Sequence, residues 1–550
     1  AGRQAGRQAG RMAAVAATAT AVGDSGAAGA SPKATSERGF AETKDFRIAT
    51  LGNVDSGKST LVGCLTRGLL DDGRGKARSY VLRHQHEQKR GQSSAVTMTL
   101  MGYKAGEQVL PGNPADAKPG RGSHNKDFFE VASKATHRLQ LVDLCGHQKY
   151  LKSSIYGLTA MSPDAALVVV GAERGIQRMT REHVGLACAL RIPFFIVMTK
   201  VDMAPPDVLK ESQMRLKRLL KRAGRKAFMV REEADLEGAI RCMEASQTAF
   251  APIIEVSCVT GQNMDNLRAF VRLLTTTKTE TAISHSEEKH SDEEGGAAGD
   301  EPPSARRGGA SEADPVITPL EGVAQANASG AADAAEVVPL KISLDDTYTP
   351  PGVGIVIGGT INKGHVHVGQ KLFVGPTKLG EWFPVAVRSI HRQCVPSRNA
   401  YTGQHATFAI KSLTKTALKR DNFRKGMVAV DEHSLAEAQR FTVREFEADI
   451  KVLHHSTTID RGYSPFIHLA GIRQSARIVE IRSAAGEEVV ARTGSQVFVR
   501  FRFLHQPEFV EVGRPMIFRE GNAKGCGRIT RIFDESGDAV ASEADAGNAW

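Results

Sequence analysis

A short glycine-rich segment near the start of the chain constrains its fold more than any other feature. Residues 52–60 fit the pattern G-x-x-x-x-G-K-[ST], after an apolar run over 46–51 and before a helical pattern over 59–69. A loop between a strand and a helix can surround phosphate groups with backbone N–H donors, so this segment predicts a nucleoside triphosphate site. We expect Lys58 to reach the β- and γ-phosphates and Ser59 to bind Mg²⁺. The predicted phosphate-binding residues of this loop are Asn53, Val54, Asp55, Ser56, Gly57, Lys58, Ser59 and Thr60.

Length and composition narrow the class of protein. A chain of 550 residues predicts about three or four domains. No apolar run approaches the ~20 residues of a membrane span, so no membrane partner is expected. The seven cysteines contain no C-x-x-C pair, which favours a reducing compartment and a cytoplasmic location.

The net charge of +11 is unevenly distributed. Residues 279–336 contain thirteen acidic and three basic side chains, a local charge of −10, which leaves +21 for the rest of the chain. A folded part this basic fits contact with nucleic acid or a ribosomal surface, and it equally fits a solvated surface without a partner.

The N-terminal part of the chain divides into a tail and an α/β domain. Residues 1–44 are rich in Ala, Gly, Ser and Thr and are predicted to be disordered. Their arginines faintly resemble a mitochondrial transit peptide; the alternatives are a low-complexity tail or a leader upstream of Met12. Residues 45–278 alternate strand and helix patterns, which predicts a parallel sheet covered on both faces, with a surface insertion over 106–124. The predicted strands are 46–51, 139–142, 165–170, 193–198 and 252–256, and the helices 59–69, 180–190, 207–222 and 263–274.

The C-terminal part changes character. Residues 279–337 are predicted to form a disordered acidic linker. Short strands of β-branched residues between turns then predict two small barrels, 338–436 and 437–534, and a tail over 535–550. The predicted fold class is therefore multi-domain: an α/β P-loop domain followed by two all-β barrel domains.

Two further motifs point to guanine as the base. Residues 199–202 follow the apolar strand 193–198 and fit [NT]-K-x-D. Asp202 can accept two hydrogen bonds from guanine N1 and N2, which adenine cannot supply, and Lys200 would lie along the base. Residues 257–259 fit the S-[AC]-x loop whose backbone N–H recognises guanine O6. The predicted guanine-binding residues are Thr199, Lys200, Asp202, Ser257, Cys258 and Val259.

The segment after the predicted strand 139–142 reads D-x-x-G-H. Asp143 would hold the Mg²⁺ hydration shell, and the Gly146 N–H would bond the γ-phosphate and sense its presence. His147 would position the attacking water, unless it is an ordinary surface histidine. A third magnesium ligand is assigned to Ser93, with Ser94 as the alternative. The predicted catalytic residues are Lys58 and His147, and the predicted magnesium ligands are Ser59, Ser93 and Asp143.

With these elements in order, the chain resembles a translational GTPase of the elongation factor Tu and elongation factor 1-alpha group. The glycine-rich pattern over 352–369 is similar to the first hairpin of their second domain. It resembles the GTP-binding protein 1 and 2 subfamily more closely, although Ser93 stands where that family usually has Thr. The segments that carry this resemblance are 52–55, 143–152, 179–187, 446–450, 452–455 and 472–474.

The resemblance implies GTP or GDP and Mg²⁺ as cofactors and the ribosome as activator. It implies a GTPase acting in aminoacyl-tRNA delivery, ribosome rescue or mRNA surveillance, with tRNA or a release-factor-like protein held by the barrels. The exosome or other RNA-decay factors are further expected partners. One alternative is a GTP-switched adaptor that recruits decay factors with little turnover; another is an organellar elongation factor. Basic candidates for the ligand cleft are Arg473, Arg519 and Arg528.

Overall fold

A computed structural model describes most of the chain outside its tails and linker. The predicted tail 1–44, residues 292–337 of the predicted linker and residues 543–550 lie outside the described part. Within this part, none of the helices combines the length and apolarity that crossing a bilayer requires. The described residues are 45–82, 84–112, 123–245, 249–291, 338–415, 418–520 and 523–542.

The first domain is built on an eight-stranded sheet. Its strands are β1 (Phe46–Gly52), β2 (Thr97–Lys104), β3 (Glu107–Val109), β4 (His137–Asp143), β5 (Ala165–Gly171), β6 (Phe194–Thr199), β7 (Lys226–Val230) and β8 (Phe250–Glu255). They lie in the order β3-β2-β4-β1-β5-β6-β8-β7. The six strands from β4 to β7 in this order run parallel, whereas β2 runs antiparallel to both of its neighbours, β4 and β3.

The prediction of a wholly parallel sheet is therefore wrong at one edge. All five predicted strands are present, but β2, β3 and β7 were not anticipated. The sequence of β2 reads TMTLMGYK, and its two threonines break the continuous apolar run that marks a strand buried on both faces. An antiparallel hairpin at a sheet edge needs no such run, so the apolar pattern alone missed it.

Helices cover both faces of this sheet. They are α1 (Lys58–Arg67), α2 (Lys76–Ser79), α3 (Gln85–Arg90), α4 (Ser123–Lys134), α5 (Leu151–Thr159), α6 (Arg178–Ala189), α7 (Pro206–Arg222), α8 (Ala234–Ala245) and α9 (Met264–Ser291). Successive residues of a strand point to opposite faces, and accordingly Ile48 packs with α1, α8 and α9 whereas Ala49 packs with α5, α6 and α7. The last helix continues to Ser291, past the predicted domain end at 278.

Two six-stranded antiparallel barrels follow. The first barrel contains β9 (Lys341–Tyr348), β10 (Ile355–Lys363), β11 (His365–His367), β12 (Lys371–Gly375), β13 (Phe383–Arg392), β14 (Val395–Ser397), β15 (Asn399–Tyr401), β16 (His405–Ser412) and β17 (Val428–Val430). After helix α10 (Leu435–Arg440), the second contains β18 (Thr442–Val443), β19 (Glu445–His454), β20 (Phe466–Leu469), β21 (Ile472–Arg482), β22 (Gln496–Phe503), β23 (Glu508–Phe509), β24 (Pro515–Glu520), β25 (Ala523–Phe533) and β26 (Ala539–Ser542). The first barrel closes through the order β12-β17-β9-β10-β16-β13 and the second through β19-β22-β21-β20-β24-β25.

The second barrel extends beyond its predicted end at residue 534. Strand β26 pairs with β25, so part of the predicted C-terminal tail belongs to the sheet. Strand β26 has only four residues, Ala-Val-Ala-Ser, and three of them are small. Because strands are usually recognised by β-branched and aromatic residues, this segment did not indicate a strand.

The two barrels contact each other through buried polar groups and backbone. Arg424 Nη1 lies 2.5 Å from Glu508 Oε2, and Gln474 Nε2 donates to Glu508 Oε1 at 2.9 Å. A Cβ added to Gly471 would lie 2.9 Å from Gly426 Cα, so the two backbones meet at van der Waals distance. This contact leaves no room for a side chain between the barrels.

Both barrels also contact the α/β domain. Tyr156 of α5 donates a hydrogen bond to the Asp345 carbonyl of the first barrel at 2.8 Å. Lys524 of the second barrel lies 2.7 Å from Glu182 of α6, and Ile517 joins the apolar cluster under α5 to α7. The α/β domain is thus in contact with both of the domains that follow it.

Substituting Gly471 by alanine should separate the barrels. Because the new methyl group would meet the Gly426 backbone, which cannot rotate away, we expect a loss of about 1–3 kcal/mol in the free energy of unfolding. Urea unfolding followed by circular dichroism measures this change. The matched control is Gly185→Ala in α6, where a Cβ meets nothing within 4 Å; equal losses in the two variants would contradict the proposed close contact.

Candidate functional site

The glycine-rich loop joins β1 to α1 and its glycines occupy positions that exclude side chains. Gly52 has φ 141° and Gly57 has φ 84°, both in the region that favours glycine. A Cβ on Gly52 would overlap the carbonyl oxygen of Val169 in the neighbouring strand β5. The loop therefore lies directly against the sheet, with α1 beginning at Lys58.

This loop forms one wall of a cavity of about 350 Å³. Several of the predicted site residues line it, together with side chains that the sequence did not indicate. The lining residues include Val54, Asp55, residues 57–60, residues 90–94, Gly146, His147, Arg174 and Lys200. The remaining predicted residues are not part of this lining; they are Asn53, Ser56, Asp143, Thr199, Asp202 and 257–259.

Lys58 is buried at the base of the cavity. Its Nζ donates to the Asn53 carbonyl at 2.7 Å, and Ser56 Oγ donates to the same oxygen at 2.9 Å. Burial lowers the pKa of Lys58, and the charge of Asp143 opposes that shift. A Cβ on Gly146 would lie 2.5 Å from Lys58 Nζ, so the D-x-x-G-H segment crosses directly over the lysine.

Three oxygen-bearing side chains converge beside Lys58. Ser59 Oγ lies 2.7 Å and Ser93 Oγ 3.1 Å from Asp143 Oδ2, and the two hydroxyl oxygens are 2.8 Å apart. Magnesium prefers oxygen ligands and is commonly held by one carboxylate with hydroxyl, phosphate and water oxygens. This donor set therefore fits the ion predicted from the sequence.

Ser93 and Ser94 have different surroundings. The buried carboxylate of Glu87 accepts from Ser94 N and Ser94 Oγ, both at 2.7 Å, and from His84 N at 3.1 Å. Burial raises the pKa of Glu87, but the hydrogen bonds from Ser94 and His84 outweigh it and the net shift is downward. Glu87 thus holds Ser94 away from Asp143 and leaves Ser93 facing it.

His147 lies exposed on the rim of the cavity. Its Nδ1 accepts from Lys149 N at 3.1 Å, so a neutral ring carries its proton on Nε2. Tyr150 packs against it edge-on, with ring centroids 6.1 Å apart. The ring is therefore oriented by the backbone and by Tyr150 while remaining accessible from outside.

The two guanine motifs lie at the ends of the adjacent parallel strands β6 and β8. Lys200 Nζ binds Glu173 Oε1 at 2.7 Å, and Asp202 is exposed. The pKa of the Cys258 thiol is raised by a hydrogen bond with Cys64, by burial and by nearby negative charges that include Asp202. The charge of Asp202 thus acts on the 257–259 loop.

Two of the predicted guanine-binding residues, Thr199 and Ser257, use their side chains in hydrogen bonds within the protein. Thr199 Oγ1 donates to the Ser56 carbonyl at 2.7 Å and so braces the phosphate-binding loop. Ser257 Oγ accepts from Val259 N at 3.3 Å and Thr260 N at 3.1 Å, which closes its own turn. Their side chains shape the loops, and the exposed groups beside them are Asp202 and Val259.

His183 is a residue of the site that sequence reasoning did not assign. It is buried in α6, and its Nδ1 accepts from Gly52 N at 3.1 Å. Burial, together with the charge of Lys58, lowers its pKa to about 3. In the sequence, His183 was noticed only as part of the segment 179–187, which resembles the family but did not indicate a role for the histidine.

Comparison with known proteins agrees with this geometry. The elongation factor Tu GTP-binding domain family matches residues 44–277. GTP-binding protein 1 of Xenopus laevis is 34% identical over 492 residues, which cover 90% of this chain and 64% of that protein. GTP-binding protein 2 of Mus musculus is 34% identical over 490 residues, covering 89% of this chain and 69% of that protein.

Solved structures share the fold at low identity. Elongation factor SelB of Methanococcus maripaludis with GppNHp aligns with TM-score 0.52 and 18% identity, covering 90% of this chain and 81% of that one. The GTP-bound GTPase-like domain of S. cerevisiae Ski7 aligns with TM-score 0.57 and 12% identity, covering 91% of this chain and all of that one. These likenesses concern the fold alone.

A P-loop domain with this site, followed by two closed barrels, defines the class of translational GTPases. The chain belongs to this family and, within it, to the GTP-binding protein 1 and GTP-binding protein 2 subfamily. The predictions of family and fold class are thereby confirmed. The chain spans 64% and 69% of the two relatives' lengths, so it corresponds to about two thirds of each.

Replacing His183 by asparagine should remove an acid sensitivity. The unfolded residue titrates near pH 6.5 whereas the folded residue stays neutral to about pH 3, so the unfolded state alone takes up a proton as the pH falls. Between pH 7 and pH 5, the free energy of unfolding of wild type should therefore fall by about 2 kcal/mol more than that of His183→Asn. Urea unfolding at each pH measures this difference. His183→Asn keeps an acceptor for Gly52 N, and the exposed His433→Asn is the control. A stability difference independent of pH would contradict the assignment.

Proposed function

We propose that the chain binds GTP with Mg²⁺ and hydrolyses it in response to the ribosome, as an elongation-factor-like translational GTPase. The observation that carries this proposal is the convergence of Ser59, Ser93 and Asp143 beside Lys58, with His147 on the rim of the same cavity. The family membership described above supports it.

The phosphate end of the site supplies charge and orientation. Lys58 and the backbone N–H groups of its loop would bind the β- and γ-phosphates. Mg²⁺, held by Ser59, Ser93 and Asp143, would neutralise charge on those phosphates. The Gly146 N–H would bond the γ-phosphate, and its position over Lys58 makes the D-x-x-G-H segment sensitive to that group.

The attacking water would be oriented by His147. Lys149 N and Tyr150 set the resting orientation of its imidazole, and its exposure leaves the ring free to be repositioned by a macromolecular activator. The ribosome would complete the arrangement by pressing this ring toward the γ-phosphate.

The base end of the site gives selectivity. Asp202 would accept from guanine N1 and N2, and the 257–259 loop would donate a backbone N–H to guanine O6. Lys200, fixed by Glu173, would lie along the base. Adenine offers no such pair of donors to the Asp202 carboxylate, so binding of ATP is disfavoured relative to GTP.

Helix α5 connects the γ-phosphate sensor to both barrels. The D-x-x-G-H segment leads directly into α5, whose Tyr156 donates to Asp345 in the first barrel. At the other contact, Lys152 of α5 lies 5.7 Å from the ring centroid of Phe466 in the second barrel. Loss of the γ-phosphate would therefore move α5 and loosen both barrel contacts together.

A ligand held between the barrels and the α/β domain would be released by this movement. The relatives include proteins named elongation factor 1-alpha and a selenocysteine-specific elongation factor. We propose tRNA or a release-factor-like protein as this ligand, in tRNA delivery, ribosome rescue or mRNA surveillance, with the exosome or other RNA-decay factors as further partners in surveillance.

Ribosome-stimulated hydrolysis tests the proposed function. Purified 80S ribosomes should accelerate GTP hydrolysis by wild type, and His147→Ala should reduce the stimulated rate by at least about 100-fold because the water loses its orienting group. Release of labelled phosphate measures the rate, and the exposed His433→Ala is the control. An absence of stimulation, with an unchanged rate for His147→Ala, would instead favour a GTP-switched adaptor with little turnover.

The two neighbouring serines make a matched test of the magnesium site. Ser93→Ala should raise the Mg²⁺ concentration for half-maximal binding of a GTP analogue by about 10-fold, the effect of losing one moderate contact. Ser94→Ala should leave that concentration nearly unchanged, because its hydroxyl is bound to Glu87. Fluorescent-analogue titrations measure both, and a larger effect at Ser94 would reverse the assignment.

A further inference from the structure

Arg174 brings a further cation to the wall of the nucleotide cavity. It lies in the turn after β5, where Arg174 N and Gly175 N donate to the Gly171 carbonyl at 3.3 and 2.9 Å. A Cβ on Gly171 would lie 3.8 Å from Ser56 Cα, so this turn packs against the phosphate-binding loop. The backbone that carries Arg174 is therefore fixed relative to the phosphate-binding loop.

The guanidinium of Arg174 is held only loosely. Its Nη1 lies 3.6 Å from Asp55 Oδ2 and its Nε lies 3.7 Å from Glu173 Oε1, with 58% of the side chain exposed. Both distances exceed hydrogen-bond length, and ion pairs this exposed contribute little. The Glu173 carboxylate is already bound to Lys200 at 2.7 Å. Arg174 can therefore exchange these partners at small cost.

Asp55 connects Arg174 to the segment that carries Ser93. Its backbone is left-handed, with φ 62°, and its Oδ1 accepts from Gln92 Nε2 at 3.4 Å while its Oδ2 faces Arg174. A polyphosphate offers more charge than one carboxylate, and a guanidinium pairs with two phosphate oxygens at once. Bound GTP would therefore compete successfully for Arg174.

We propose that Arg174 binds phosphate oxygens of bound GTP and stabilises the charge that develops on them during hydrolysis, with Asp55 as its partner when no nucleotide is bound. The inference rests on the proposed GTPase function and adds an arginine acting within the same chain. In this reaction water forms the new bond to the γ-phosphorus and its proton passes to the released phosphate. The bond to the β–γ bridging oxygen breaks and its electron pair stays on GDP, so negative charge builds up on the phosphate oxygens, where the guanidinium of Arg174 in the cavity wall would offset it.

Three measurements on Arg174→Ala and Arg174→Lys test this role: single-turnover GTP hydrolysis without ribosomes, affinity for GDP, and affinity for GDP with aluminium fluoride. We expect Arg174→Ala to lower the hydrolysis rate and the affinity for GDP with aluminium fluoride by about 10-fold or more. Its affinity for GDP alone should stay within about threefold, as for loss of an exposed ion pair. The hydrolysis rate of Arg174→Lys should fall between those of wild type and Arg174→Ala. The control is Arg218→Ala, on the exposed face of α7.

Two outcomes would overturn the inference. One is wild-type hydrolysis and aluminium fluoride binding in Arg174→Ala; the other is an equal loss of affinity for GDP with and without aluminium fluoride, which would indicate general binding. A wild-type chain that binds no guanine nucleotide would reject the proposed function itself, and this inference with it.

Discussion

The carboxylate of Asp143 is the interaction on which the rest of the site depends. Its Oδ1 accepts from Thr50 Oγ1 of β1 at 2.8 Å, and its Oδ2 accepts from Ser59 and Ser93. One buried group thus fixes the spacing of a central strand, the phosphate-binding helix and the segment containing Ser93. Because a carboxylate and two hydroxyls are held together here, the oxygen donors that a magnesium ion would need are already in place.

This local network is coupled to the whole molecule through short connections. The chain runs from Asp143 through residues 144–150 into α5. Helix α5 contacts the first barrel through Tyr156 and the second through Lys152. The barrels are joined by the Arg424–Glu508 pair and by the Gly426–Gly471 contact. One helix thus contacts both barrels, and it would carry the proposed movement to both of them.

The parts of this structure that sequence could predict are those with a strong local pattern. The phosphate-binding loop, the order of the guanine motifs and the barrels follow from glycine positions, buried apolar runs and regular short strands. The choice of Ser93 over Ser94 depends on Glu87, whose role appears only when the segment folds back on itself. His183 and Arg174 likewise have partners distant in sequence, and β2 and β3 lack the apolar run of a central strand.

The contact between Asp45 and Arg392 gives the interface of the first barrel with the α/β domain a particular character. The two charges lie 3.7 Å apart and each side chain is only 1% exposed. Removing charges from water opposes much of their mutual attraction, so such a pair adds less net adhesion than an apolar contact of equal area. This pair therefore adds little to the strength of the interface, and separating the two domains at this point would return both ions to water.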